Sequence, residues 1–420
     1  MIRKIESLRF TFRSLKYRNY RLFFGGQSVS LVGTWIQRIA TPWLVYDLTG
    51  SVLLLGLVGF VGQIPTFLLS PIAGVLTDRW NRFHIMVTTQ ILSMMQAIIL
   101  TWLVFSGKIQ VWHIIILSGF LGCINAFDVP ARQSFVIQMV EKKEDLSNAI
   151  ALNSSMVNGA RLLGPSVAGM LIAATGEGIC FMLNAISYLF VIWSLMLMKI
   201  TPKDNKNVKK SVLKELKEGV AYTFGFAPIR YIILLLALVS LVGMPYTVLM
   251  PIFAKEIIHG GAHTFGFLMG ASGMGALTGA LYLASRRNDI GLEKIIPLSA
   301  GVFGIGLILF SFSHAFVLSL MLMVFTGFGM MLQMASSNTM LQSIVDDSMR
   351  GRVMSFFTMA IMGTAPFGSL LAGSSAKLIG APNTVLVGGI ACIFGALIFA
   401  FKLPEITKVI AENRQITARG

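Results

Sequence analysis

The sequence predicts an all-α membrane protein with twelve transmembrane helices, arranged as two six-helix halves related by a parallel repeat. Three observations predict this. Of 420 residues, 55% are apolar and only 12% charged, with a mean hydropathy of +0.76, which is more apolar surface than a soluble globule of this length can bury. Twelve apolar stretches reach the roughly 20 residues needed to cross a bilayer. Sliding the chain against itself by 210 residues aligns Ser30-Leu31-Val32-Gly33 with Ser240-Leu241-Val242-Gly243, Gly50 with Gly260 and Gly56 with Gly266, without a gap.

The twelve spans cover approximately 20–47, 52–76, 84–105, 111–135, 148–174, 179–198, 229–253, 264–284, 295–312, 316–341, 353–376 and 383–402. Several are longer than a bilayer requires, as tilted or projecting helices are. Pro42, Pro65, Pro130, Pro165, Pro245 and Pro366 fall inside or at the ends of spans. Packed membrane helices tolerate such prolines and often bend at them. Residues 1–19 mix Arg3, Lys4, Arg9, Arg13, Lys16 and Arg18 with scattered apolar residues and form a basic cytosolic arm rather than a signal peptide.

The chain carries 34 Lys and Arg against 18 Asp and Glu, a net charge of +16. With the arm inside, most basic residues fall in inner segments and only Lys108, Lys255 and Lys377 in outer loops. Short-loop bias of this kind sets orientation, so both termini are expected in the cytosol and the excess charge implies no nucleic acid. Cys123, Cys180 and Cys392 all lie in spans, which suits core packing rather than a disulfide framework.

One hydrophilic segment, 199–228, separates a first half at 20–198 from a second at 229–402, and 403–420 forms a cytosolic tail. Within the linker, Val212, Leu213, Leu216, Val220 and Tyr222 recur among Lys and Glu at helical spacing, as in an amphipathic helix at a membrane surface. Matched halves of one orientation place a transporter's substrate between them near mid-membrane.

After the second span stands Gly74-Val75-Leu76-Thr77-Asp78-Arg79-Trp80-Asn81-Arg82. Gly74 permits close helix approach, Asp78 accepts bonds at a helix N-terminus, and Arg79 and Arg82 suit an ion-pair network. The loop resembles the signature of the major facilitator superfamily, departing from it at Asn81 and Phe83. In the second half, Ala284-Ser285-Arg286-Arg287-Asn288-Asp289 keeps the charge without the order. The resemblance implies that Gly74, Asp78, Arg79 and Arg82 stabilise closure of the cytosolic side.

Further strings, Trp43-Leu44-Val45-Tyr46-Asp47, Asp128-Val129-Pro130-Ala131-Arg132-Gln133, Asn148-Ala149-Ile150-Ala151-Leu152-Asn153, Arg161-Leu162-Leu163-Gly164-Pro165 and Arg350-Gly351-Arg352-Val353, are similar to the drug and siderophore exporter branch of that superfamily. Ala160, Gly164, Pro165, Ala168 and Gly169 resemble its antiporter pattern. Small residues there allow tight packing and Gly164-Pro165 a bend, although packing alone also accounts for the string.

Asp128 is the carboxylate placed clearly within a span. A charge there costs at least about 2.5 kcal/mol unless it is paired, protonated or hydrated. A rise of about 1.5 Å per residue sets Asp128 and Arg161 roughly 7 Å apart in depth, which makes Arg161 the preferred partner. Arg132, one helical turn on, is the alternative. Two roles stay open, a structural ion pair or proton exchange at Asp128 modulated by Arg161 or Arg132. By the resemblance, Gln37, Arg38, Asn125, Tyr246, Gln333 and Asn338 face a central cavity. The eight methionines from Met330 to Met362 suit either a pliable pocket or ordinary packing.

Glu256, His259 and His263 make a solvated turn rather than a metal site, because Gly260-Gly261 interrupts the helix. No Gly-x-x-x-x-Gly-Lys-Ser/Thr string and no nucleophile with a partner is present, so neither ATP drive by this chain nor an enzyme is expected. The expectation is a monomeric, multi-pass protein of the inner (plasma) membrane. It exports small amphiphilic molecules against protons with no cofactor beyond the gradient. An importer or lipid-facing flippase of the same fold, or a receptor or scaffold, is the alternative.

Overall fold

A computed structural model of the chain describes residues 12–199, 220–286 and 291–409. The apolar runs fold as helices α1 (Arg18–Thr49), α2 (Val52–Arg79), α3 (Arg82–Phe105), α4 (Val111–Met139), α5 (Lys143–Thr175) and α6 (Glu177–Met196). These are followed by α7 (Ala227–Ile257), α8 (Ala262–Ser285), α9 (Leu292–Ser311) and α10 (Phe316–Ile344). Helix α11 consists of Asp347–Thr358 and Ala365–Ile379 joined by a π turn at Met359–Gly363, and α12 is Ala381–Phe401. The linker helix expected within 211–224 lies mostly outside the described residues; 220–225 are helical.

Among the described residues, eleven helices are long and apolar enough to cross a membrane. The remaining long one, α1, is more polar, and three of its polar side chains are turned inward. Gln27, Ser30 and Gln37 are all buried, because a helix surrounded by lipid keeps its hydrogen-bonding groups toward its neighbours. Helices α1, α4 and α5 run unbroken through Pro42, Pro130 and Pro165. Helix α1 stops where Gly50 takes the left-handed conformation (φ 59°) and donates its N–H to the Tyr46 carbonyl, a conformation that costs glycine little.

The chain forms two compact units, Met1–Gly50 with Val61–Asn207 and Ser51–Phe60 with Val208–Gly420. In the first, α1 lies along α5 and α6, and α3 lies along α4 and α6. The α1–α6 seam is built on glycine. A Cβ on Gly26 would meet the Phe190 carbonyl at 2.8 Å, and one on Gly33 would overlap Ser187 and Asn184. A buried cluster of Tyr20, Phe23, Met86, Phe135, Val191 and Leu195 closes one end of this bundle.

In the second unit, α8 lies along α10, and α9 lies along α10 and α12. Gly304 and Gly389 are reciprocal, each Cβ position 2.7 Å from the other's carbonyl. Helix α7 contains π turns at Val239–Gly243 and Phe253–Ile257. The first is tied to the π turn of α11 by Ser240 Oγ, which donates to the Ile361 carbonyl at 2.7 Å. Such turns accommodate Pro245, which has no N–H for the regular ladder. The internal repeat has a packing counterpart, since Gly33 of α1 abuts α6 and Gly243 of α7 abuts Cys392 of α12.

Candidate functional site

Asp128 lies in the middle of α4 and is 6% exposed. Its Oδ1 accepts from Thr89 Oγ1 at 3.0 Å and from Gln90 Nε2 at 2.8 Å, both on α3. Its Oδ2 faces Arg132 Nε at 3.7 Å, one turn along α4. The ion pair is therefore the local one, and the depth argument that favoured Arg161 is corrected. Depth along the membrane normal says nothing of the direction around a helix axis, and α4 turns Asp128 toward α3.

Arg161 on α5 instead lies over the ring of Trp35 on α1, its Cζ 5.5 Å from the centroid. Arg38, one turn along α1 from Trp35, lies over the same ring at 4.8 Å. Arg38 is solvent-exposed although it sits well inside a 32-residue helix. Gly164 makes this approach possible, since a Cβ there would overlap the Trp35 side chain. The Gly164-Pro165 string thus positions Arg161 against α1, with Pro165 and Gly169 buried beside it.

Gln37, expected to face a cavity, is 4% exposed. Its Nε2 donates to Gln96 Oε1 of α3 at 3.0 Å, and its Oε1 accepts from Asn184 Nδ2 of α6 at 2.7 Å. It is a strut between three helices, because neighbouring amides offer it more than open solvent does. Asn125 is half-buried on α4.

The stretch expected as a loop continues α2 as far as Arg79, and the side chains of Asp78 and Arg79 lie outside the described residues. Among the described residues nothing comes within 4 Å of a Cβ on Gly74, so these do not make the close approach expected there. Asn81 takes the place of a glycine without strain. It adopts extended φ/ψ and caps α3, its side chain accepting from the Phe83 N–H. Phe83 packs toward Phe135, with ring centroids 6.5 Å apart. Arg82 Nη1 reaches the Ser134 carbonyl of α4 at 3.5 Å.

In the second unit, Tyr246 is 3% exposed; its hydroxyl shares a 2.7 Å hydrogen bond with Ser272 of α8 and its ring meets Phe303. It too packs inward rather than facing open volume, since its hydroxyl finds a partner there. Asn338 accepts from Gln342 at 3.1 Å on the same helix. Gln333 is fully buried, and both its amide atoms, with the hydroxyls of Ser336 and Ser337, lack hydrogen-bond partners among the described residues. An apolar group of the same shape relieves that cost, so Gln333→Met is expected to stabilise the protein by about 1 kcal/mol. A rise in melting temperature in nanodiscs checks this, and a fall contradicts it.

Sequence reasoning missed Asp145 at the start of α5. Its carboxylate takes Arg13 Nε at 2.9 Å, Lys16 Nζ at 2.6 Å and the Tyr17 hydroxyl at 2.7 Å. Ser14 donates to its carbonyl at 2.9 Å. The described end of the basic arm is therefore docked on α5 by a 3-10 turn at Arg13–Lys16, and the bond to Asp145 raises the pKa of the Lys16 ammonium above its ordinary value. The signal was one of three acids in the Glu141-Lys142-Lys143-Glu144-Asp145 segment, indistinguishable by composition from any solvated turn.

The sequence profile of the transmembrane secretion effector family matches residues 10–418. The Staphyloferrin A transporter of Staphylococcus aureus is 27% identical, over 91% of this chain and 95% of that protein. Macrolide efflux protein A of Streptococcus pyogenes is 24% identical, over 90% of this chain and 96% of its own length. Among solved structures, an inward-facing bacterial homologue of the human lysosomal transporter Spinster superposes with a TM-score of 0.71 at 12% identity, covering 94% of this chain and 98% of that one. The helical architecture, the internal repeat and these similarities agree: the chain belongs to the transmembrane secretion effector family, and is a membrane-embedded transporter of the drug and siderophore exporter branch of the major facilitator superfamily rather than an enzyme.

Proposed function

We propose that the chain is a proton-driven exporter that moves small amphiphilic organic molecules, such as drugs or siderophores, out of the cell by alternating access. The observation that carries this reading is similarity over nine-tenths of the chain to a protein named for macrolide efflux. Both termini stand in the cytosol, in keeping with the positive-inside distribution. Gly74, Asp78, Arg79 and Arg82 close that side, and Arg38, Asn125 and Asn338 contact substrate.

Asp128 is the proton carrier. Its buried carboxylate is held by two neutral donors and one cation, so taking up a proton cancels the attraction to Arg132 and frees a side chain that reaches solvent. Coupling arises if one access state favours the paired carboxylate and the other its protonated form. Arg161 adds positive potential from α5.

Asp128→Asn retains the shape and removes the charge. In proteoliposomes it is expected to leave gradient-free substrate exchange measurable while a pH gradient no longer accelerates transport. Acceleration equal to that of the unaltered protein rules Asp128 out as the coupling residue.

A further inference from the structure

Neither proton coupling nor the positive-inside rule accounts for two arginines meeting on one tryptophan ring. Both lie deep within their helices, Arg38 in α1 and Arg161 in α5. Their guanidinium carbons stand 4.8 and 5.5 Å from the Trp35 centroid. A guanidinium held over a ring face, as Arg38 is, can still take a carboxylate on its N–H edge through two parallel bonds. Arg38 is exposed and makes no ion pair among the described residues. Along α5, Ser154 and Asn158 precede Arg161 on one helical stripe and are exposed and half-buried, with the Asn158 amide donating to the Ser154 carbonyl at 2.9 Å. Gly164 sets the register by admitting Trp35.

Positive charges gathered within the membrane repel a cationic substrate and are offset by an anionic one. We infer that Trp35, Arg38 and Arg161 form a subsite for carboxylate-bearing substrates, so that the transported molecules include organic polycarboxylates and exclude permanent organic cations. This rests on the exporter reading for its physiological direction but not for binding itself.

The test uses purified full-length protein in nanodiscs of zwitterionic lipid, with citrate as the minimal polycarboxylate, inorganic phosphate and phosphatidylglycerol as other anions, and tetraphenylphosphonium as the cation. Citrate is expected to raise the melting temperature saturably and tetraphenylphosphonium to have no effect. Arg38→Gln and Arg161→Gln should each weaken citrate binding by about tenfold or more, with Arg38→Lys intermediate because an ammonium cannot make the paired bonds. Trp35→Phe, which keeps an aromatic face, serves where an arginine variant fails to fold, and should weaken binding less. Failure of citrate to bind, or unchanged binding in all folded variants, overturns the proposal. So does equal competition by phosphate or phosphatidylglycerol, which assigns the site to phosphate oxygens. Citrate binding without gradient-driven transport leaves the subsite standing and refutes the exporter reading; gradient-driven efflux of a macrolide without citrate binding does the reverse.

Discussion

Gly275→Leu is expected to abolish accumulation of folded protein. In the second unit, a Cβ at Gly275 of α8 would overlap the Val324 carbonyl of α10 and stand 2.7 Å from the Phe328 nitrogen. Reciprocally, a Cβ at Gly327 of α10 would overlap the Ser272 carbonyl and lie 2.9 Å from its Cα. Gly279 continues the stripe one turn on, with a Cβ position 2.9 Å from the Phe328 carbonyl. The obstacles are backbone atoms, which cannot rotate aside as a side chain can. Any substituent must separate two helices whose association in lipid depends on close packing rather than on hydrophobic exclusion of water. Overpacking a core typically costs about 1–3 kcal/mol for an added methylene group, and a leucine against a fixed backbone should reach or exceed the upper value. Fluorescence-detected size exclusion should show aggregate in place of the monodisperse peak. Gly301→Leu on α9, where nothing described lies within 4 Å of the new Cβ, should behave as the unaltered protein. A normal peak for Gly275→Leu contradicts the packing.

Gln37→Leu is expected to lower stability by about 1–3 kcal/mol while leaving the affinity of the folded protein for substrate unchanged. Leucine removes both the donor to Gln96 and the acceptor from Asn184, leaving two buried amide groups on α3 and α6 without these partners. Orphaning one such group costs about 1–3 kcal/mol in a soluble core. Interhelical bonds in membranes are worth somewhat less, about 0.6 kcal/mol on average, because the separated helices find other partners. Thermal denaturation in nanodiscs measures the loss, and combination with Asn184→Leu should cost less than the two changes added together. Strict additivity, or a binding defect with unchanged melting, returns Gln37 to the substrate contacts.

How much was legible in the sequence follows from what each kind of signal encodes. Hydropathy fixes the spans, since crossing a bilayer demands an apolar length, and the helices begin and end within a few residues of the expected limits. The register of the repeat has a partial counterpart in packing, since Gly33 abuts α6 and Gly243 abuts Cys392 of α12 as well as Phe303 of α9. Azimuth around a helix was not legible. Counting residues set Asp128 and Arg161 roughly 7 Å apart in depth, a gap an arginine can bridge, whereas the pairing depended on which neighbour each faced. Gln37 and Tyr246 were assigned to a cavity by the resemblance, and the packing turns both toward partner helices. Nor does a sequence with 41 glycines distinguish Gly275, which meets a backbone, from Gly301, which meets nothing described. Asp145 was missed because its partners stand some 130 residues earlier in the chain.

Substrate uptake into inverted membrane vesicles with an acidified lumen tests the central claim most directly, since the cytosolic face then points outward and export becomes uptake. With a labelled macrolide or siderophore, proton-driven export predicts saturable uptake that requires the acid lumen and collapses when a protonophore dissipates the gradient. Uptake that is the same with and without the gradient, or that occurs only in right-side-out vesicles, contradicts it.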